Sequence, residues 1–421
     1  MLNRYIAEST ARRMLMSSNR KVPPTWDKVG KHALFPKASH DEVARFNFLA
    51  NLNMHLSGTI MPGIREAYEQ RAKPQFIAEN TREPQNRHEV RTLMQQDPFY
   101  QWWSALRRST MEMRQQAGRS LVLRQADTLN ATAESFNKNS PTLQLNVDVE
   151  LPSYVSLVDT HCMPGSYHTA LTSNDVSAGA NYDSGLFVTT VGLLGSMSDG
   201  GGRAIADWLQ TDHSGFKPRR ILDIGCTIGH NIVPIAQAFP EADVVAIDVS
   251  APVLRYGHAR AKALGVNNIT FVQANAEDLA QFADATFDLI TTSMFLHELS
   301  HTSMPKILNE IGRLLAPGGL SLHLEQPQYT GRPVFEQFMR DWDTWNNNEP
   351  FWGAMHDADL TTLIAETGLP VAQQFQVGVT AKVDESIFPK TEQLDDKEDF
   401  GRSPAWNVFG AWKPVNQEAV A

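Results

Sequence analysis

Cysteine is nearly missing from this chain of 421 residues. The two present, Cys162 and Cys226, cannot build a disulfide framework or a four-cysteine zinc site. A reducing, cytoplasmic compartment is therefore expected, and no metal-ligand set is read. Also missing is any apolar run of about 18 residues, so neither a membrane span nor a membrane partner is expected. Residues 1–21, MLNRYIAESTARRMLMSSNRK, hold basic and serine residues but no apolar core, so a secretory signal is not expected. Glu8 breaks the acid-poor pattern of a transit peptide. Basic charge is in deficit too: 37 Lys and Arg stand against 47 Asp and Glu, a net charge of -10. A nucleic-acid partner, which wants a basic face, is argued against.

What is present centres on Arg219 to Ser250, RRILDIGCTIGHNIVPIAQAFPEADVVAIDVS. Ile221-Leu222-Asp223-Ile224 has the pattern of a buried strand, and Gly225-Cys226-Thr227-Ile228-Gly229 is a turn of mostly small residues. Asn231 to Phe239 reads as a helix, and Val244 to Ile247 as a second strand ending on Asp248. This is half of a nucleotide-binding α/β unit. A tight turn delivers a ligand to a helix N-terminus, and an acid about 20 residues on can take two ribose hydroxyls. The glycine spacing is G-x-x-x-G, not the G-x-G-x-x-G that lets backbone touch a pyrophosphate. Asp223, two residues before the first glycine, would repel a pyrophosphate and suits a ligand carrying positive charge, such as an amino-acid ammonium.

On these residues the chain resembles the class I S-adenosylmethionine (SAM) methyltransferases, whose first motif is commonly D-x-G-x-G-x-G. Here it reads D-I-G-C-T-I-G, with Thr227 where the middle glycine usually stands. The resemblance runs from about Tyr182 to Pro414. It takes in Ala180-Asn181-Tyr182-Asp183, similar to a Tyr-Asp pair whose Tyr covers the methionine end of SAM. It also takes in Leu315-Ala316-Pro317-Gly318-Gly319, similar to an L-x-P-G-G turn. The implied fold is α/β: a doubly wound, mostly parallel seven-stranded sheet, Rossmann-like, with its last strand antiparallel. A separate, mainly helical N-terminal domain is expected over residues 1–150, as a substrate cover or a homodimer interface. Residues 151–200 read as a linker contributing to the active site, and 201–421 as the SAM-binding domain. Gly200-Gly201-Gly202 reads as a flexible joint, and the Trp102-Trp103 pair as core packing.

Ligands of an open α/β sheet bind at the carboxyl ends of its strands. The strand ends supply Asp223, Gly225, Cys226 and Gly229, then Asp248 and Val249, then Asn275 and Ala276, then Ser293 and Met294. With Tyr182, these are the expected SAM-binding residues. Asp248 would take the ribose diol. Asn275 replaces the acid of the family's G-D-A-x-x-L motif, but its amide oxygen can still accept from the adenine amine. Methyl transfer is an in-line displacement that needs alignment, and a base as well if the acceptor must lose a proton. His297 and Glu298, after the fourth strand, are the first candidates, with His161, Tyr167 and His168 of the linker as rivals.

After the fifth strand comes an aromatic insertion, residues 329–357, where the family commonly carries its substrate cover. Phe335, Phe338, Trp342 and Trp345 have helical spacing, which favours packing against the N-terminal region. Trp342, Trp345, Phe351 and Trp352 are the candidate acceptor contacts. No D/N-P-P-Y/F follows the fourth strand and no Pro-Cys pair occurs, which argues against base methylation in DNA. The expected function is SAM-dependent methylation of a small molecule. The alternatives are another transfer from the same donor, such as aminopropyl transfer, a silent SAM-binding partner subunit and, last, a dehydrogenase.

Overall fold

The computed structural model describes residues 24–30, 32–382 and 405–415. The reading of residues 1–21 as neither signal nor transit peptide lies outside them. The chain begins with helices α1 (His40–His55), α2 (Pro62–Ala67), α3 (Lys73–Asn80), α4 (Arg87–Met94), α5 (Pro98–Leu123) and α6 (Ala126–Asn137). Local chemistry sets their starts. Ser39 and Glu42 form a reciprocal capping box on α1. Asp97 caps α5, with Pro98 at its first position, where no amide hydrogen is needed. No described helix is long and apolar enough to cross a membrane.

A two-residue strand, β1 (Leu143–Gln144), then α7 (Ser153–Ser156), α8 (Ser177–Thr190) and α9 (Gly200–Thr211) lead into the sheet. Strand and helix then alternate through β2 (Arg220–Ile224), α10 (Ile232–Ala238), β3 (Asp243–Asp248), α11 (Ala251–Ala263), β4 (Ile269–Gln273), β5 (Phe287–Ser293), α12 (Ser303–Leu314) and β6 (Leu315–Leu324). The insertion folds as α13 (Val334–Arg340), α14 (Trp342–Asn346) and α15 (Trp352–Asp357). The chain continues through α16 (Leu360–Ala365), β7 (Gln374–Thr380) and β8 (Ala405–Trp412).

The strand order is β1-β4-β3-β2-β5-β6-β8-β7, parallel throughout except at β8, which runs antiparallel to both neighbours. The expected seven strands are present, and β1 adds an eighth at the edge beside β4. Because helices cover both faces, central strands are apolar on both sides. Ile221, Val244, Ala246 and Leu289 face α9 and α10, whereas Leu222, Val245, Ile247 and Ile290 face α12 and α16. From β2 the chain winds one way to β3 and β4, then crosses to β5. The crevice between β2 and β5 is thus the switch point at which such sheets bind ligands.

Three smaller cores join the N-terminal helices to the insertion, to α8 and to α11. Phe335, Phe338 and Trp342 of the insertion pack among Tyr68, Val90, Tyr100 and Trp103. The Trp103 indole donates to Leu56 O at 3.1 Å and the Trp342 indole to Ser104 Oγ at 2.8 Å, so both rings pay no desolvation penalty on their N–H groups. Trp103 is fully buried, while Trp102 remains half-exposed beside Phe99. The three glycines at 200–202 are not a joint: they are buried within α9. A Cβ at Gly202 would fall 2.0 Å from Asn231 O, so glycine here permits α9 to approach the start of α10.

Two buried imidazoles tie acid stability to this packing. His258 bonds to Asn137, Ser140 and Thr142, and His323 to Thr292 and Ser321. Burial lowers both from 6.5 to about 4. As pH falls from 6.5 toward 4, the unfolded chain takes up these protons before the folded chain does. Stability present above pH 6.5 is therefore lost across that window. The melting temperature should fall steadily over this range, and a His258→Gln variant should show a shallower slope, read by scanning calorimetry.

Candidate active site

A cavity of about 370 Å³ opens at the carboxyl ends of the central strands. The turn after β2 forms its floor. Gly225 is in the left-handed region at φ 72°, and a Cβ there would fall 2.3 Å from the Phe295 ring. Thr227, at the expected glycine position, is also left-handed at φ 46°. A non-glycine residue is costly in that region. Its amide donates to Asp248 Oδ2 at 3.0 Å, and Ser250 N–H donates to Oδ1 at 2.9 Å, so the acid at the end of β3 holds the turn in place. Each carboxylate oxygen keeps a second lone pair for a ligand. Burial raises the Asp248 pKa, and the backbone donors oppose that shift.

Gly225, Thr227, Asp248, Val249, Asn275, Ala276, Ser293, Met294 and Tyr182 all line this cavity. Asn275 Oδ1 already accepts from the Glu277 amide at 3.0 Å and has one lone pair left. Three expected cofactor residues lie outside the lining. Asp223 is buried beneath the turn, where it accepts from Thr291 Oγ1 at 2.7 Å and burial pushes it up to about 7. Cys226 points into the core beneath the sheet. Gly229, at φ 70°, gives close packing, since a Cβ would fall 2.9 Å from the Phe271 ring. The structure thus places these three beneath or behind the turn and not along the cavity lining.

The far end of the cavity is polar. His161 and Tyr167 come from the linker, His297 and Glu298 from the end of β5, and Glu349 from the insertion. His161 is left-handed at φ 55°, and its carbonyl accepts from Gln115 of α5 at 2.8 Å. Arg108, also on α5, donates to Asn346 O at 2.6 Å and so pins the insertion to the same helix. The N-terminal helices reach the cavity through Asn53, Ser57, Arg107, Met111 and Arg114. Arg114 is buried, with its Nε donating to Gly185 O at 3.1 Å.

The charges at this end are set by burial and by mutual pairing. Burial disfavours the His297 imidazolium, but Glu325, 2.7 Å from Nδ1, outweighs burial and helps to push it up to about 10. Glu325 thus orients the His297 ring and leaves its Nε2 facing Glu298 and Glu349. His161 is raised as well: burial opposes the charge and Glu349 and Glu298 favour it. Burial raises Glu298, whereas His161 and His297 carry Glu349 below its ordinary value against its burial.

The remaining candidates divide. Phe351 and Trp352 line the cavity. Trp342 lies in the N-terminal core, and Trp345 is half-exposed with Arg91 stacked on its ring at 3.6 Å. His168 is outside the lining, its Nδ1 buried with no hydrogen-bond partner among the described residues. Helix packing and loop direction place these three away from the cavity lining. Sequence reading passed over Glu349 and Arg114. An acid among amides and aromatics at Asn346 to Phe351 was a usable signal for Glu349. Arg114 on a helix face gave none.

The residues present fit an adenosyl donor. The strand-end strip offers a carboxylate, an amide and a backbone turn, and the neighbouring His230 Nδ1 is buried without a partner. Comparison with known proteins agrees. A methyltransferase-domain family model matches residues 221–319. The ubiquinone/menaquinone biosynthesis C-methyltransferase of Vibrio vulnificus is 31% identical over 181 residues, covering 42% of this chain and 67% of the relative. An uncharacterised methyltransferase of Synechocystis is 33% identical over 159 residues, 37% of this chain and 69% of the relative. The demethylmenaquinone methyltransferase of Geobacillus kaustophilus is 32% identical over 115 residues, 27% and 48% of the two chains. With the β2 turn, the acid at the end of β3 and this likeness together, the chain belongs to the class I SAM-dependent methyltransferases and is an enzyme that methylates a small-molecule acceptor.

Proposed function

We propose that the acceptor is a hydroxylated ring or enol of small size, held between the strand ends and the helical cover and methylated at carbon or oxygen. The observation that carries this reading is the continuity of one cavity. It runs from Asp248 and Asn275 at one end to His161, Glu298 and Glu349 at the other. Met111, Leu186, Leu194, Trp352 and Trp406 give its walls apolar surface suited to a ring, and the polar end suits a hydroxyl. The names of the relatives add support, since a quinone precursor of the kind they imply has both features.

In this reading Asp248 takes the ribose hydroxyls, Asn275 and Ala276 meet the adenine, and Gly225, Ser293, Met294 and Tyr182 surround the methionine end. The bound sulfonium supplies an already activated methyl group. What the protein adds is alignment: Trp352 and Phe351 fix the plane of the acceptor, and the polar cluster fixes its hydroxyl. The helices before residue 150 serve as the cover, through Arg107, Met111 and Arg114. Self-association through these helices has two exposed aromatics in its favour, Phe48 and Trp102. The free thiols Cys162 and Cys226 suit a cytoplasmic setting.

Asp248→Ala should weaken S-adenosylhomocysteine binding about 100-fold, the loss of two charge-assisted hydrogen bonds, as read by titration calorimetry on a variant of unchanged circular dichroism. Unchanged affinity would move the ribose elsewhere. A second measurement addresses the acceptor, using labelled SAM with a reduced demethylmenaquinone analogue and a panel of hydroxylated aromatics. Trp352→Ala should raise the KM of whichever acceptor turns over about tenfold or more, with little change in SAM affinity. Trp345→Ala should leave both near the parent values. Equal effects of the two variants would remove Trp352 from the acceptor site, and no turnover with any hydroxylated ring would remove the acceptor class.

A further inference from the structure

The polar end of the cavity turns several ligand-capable atoms toward one shared space. His161 Nε2 stands 3.4 Å from Glu298 Oε1 and 3.3 Å from Glu349 Oε1. His297 Nε2 stands 3.7 Å from the same Glu298 oxygen and 3.8 Å from Glu349 Oε2. One ligand-capable atom from each of His161, Glu298 and Glu349 lies within 4.8 Å of the other two. Around a tetrahedral ion bound at about 2.1 Å, neighbouring ligand atoms are about 3.4 Å apart. The two contacts of His161 have that spacing, and both are longer than a charge-assisted hydrogen bond, which closes to about 2.8 Å.

In both imidazoles the other nitrogen is already committed. His161 Nδ1 is 2.5 Å from the Tyr167 hydroxyl, and His297 Nδ1 is 2.7 Å from Glu325. An imidazole held by a carboxylate or hydroxyl on one nitrogen, with the other turned to a shared space, is the usual arrangement behind a metal site. Glu349 provides an independent sign. Its side chain is only 3% exposed, yet Oε2 has no hydrogen-bond partner among the described residues, while Oε1 is held by Asn347 Nδ2 at 2.6 Å. A buried carboxylate oxygen left unpartnered is costly, and a cation in the shared space removes that cost.

We propose that His161, Glu298 and Glu349 bind one divalent transition-metal ion, with His297 Nε2 in reach as a fourth ligand. A set of imidazoles and carboxylates suits zinc, manganese or iron(II) over calcium and magnesium, which prefer oxygen alone. The ligands come from the linker, the end of β5 and the insertion, so the ion also fastens the cover to the sheet. The ion would stand at the cavity end assigned above to the acceptor hydroxyl, but its binding does not rest on that assignment.

The test takes full-length protein stripped with a chelator and titrated with Mn²⁺, read by electron paramagnetic resonance, and with Zn²⁺, read by elemental stoichiometry. One ion per chain is expected. Glu349→Gln and His161→Ala should each weaken binding about 100-fold, the scale of losing a direct ligand or more than a supporting one. S-adenosylhomocysteine affinity should stay near the parent value, which shows that the variants fold and separates this site from the donor site. Anomalous diffraction from Mn²⁺-soaked wild-type crystals gives the same answer without a variant, as a peak among the three side chains. No stoichiometric ion in the wild type, a peak elsewhere, or unchanged affinity in Glu349→Gln would overturn the proposal.

Discussion

The hydrogen bond from the Thr227 amide to Asp248 couples the turn after the central strand to the end of its neighbour. It holds Thr227 in a left-handed conformation that its side chain disfavours, and it aims the carboxylate along the floor of the cavity. The rest of this end of the cavity follows from this contact. The β2 turn, the β3 acid and the residues after β4 and β5 can form one strip only if the parallel sheet is in register. That register rests on the apolar faces packed under α9, α10, α12 and α16.

Above this floor the cover is built from distant sequence. Helix α5 contributes Gln115 to hold His161 and Arg108 to hold the insertion, while Phe335, Phe338 and Trp342 lock the insertion into the N-terminal core. A second buried hub adds to this. Asp183 accepts from Tyr256 at 2.9 Å and pairs with His32 at 3.0 Å and Arg260 at 3.5 Å. The adjacent Tyr182 is thereby fixed toward the cavity while Asp183 faces away. Cover and sheet share one set of buried contacts, and the charged groups at the polar end sit where three such segments meet.

The shape of the cavity divides its chemistry. Backbone and strand-end side chains serve one end, and titratable side chains crowd the other. At the second end no single residue is independent. His297 is held by Glu325, and Glu298 and Glu349 share His161. Substitutions there will act as a group, which is why an isosteric change at Glu349 is more informative than truncation of any one histidine.

The alternation of strand and helix, the switch-point ligand site and the donor class were all legible in residues 219–325, because burial on both sheet faces writes long apolar runs and the turn leaves its glycines in order. Asp248 could be placed by its distance along the chain from that turn. Whether Asp223, Cys226 and Gly229 touch the ligand or support it could not, since one strand end carries side chains both above and beneath the turn. Trp342 and Trp345 share one short helix and Trp352 opens the next, and only their packing separates core, surface and cavity. Glu349 meets His161 across nearly 190 residues of chain. Local pattern carries no information about a contact of that range, and the folded arrangement of α5, the linker and the insertion alone brings them together.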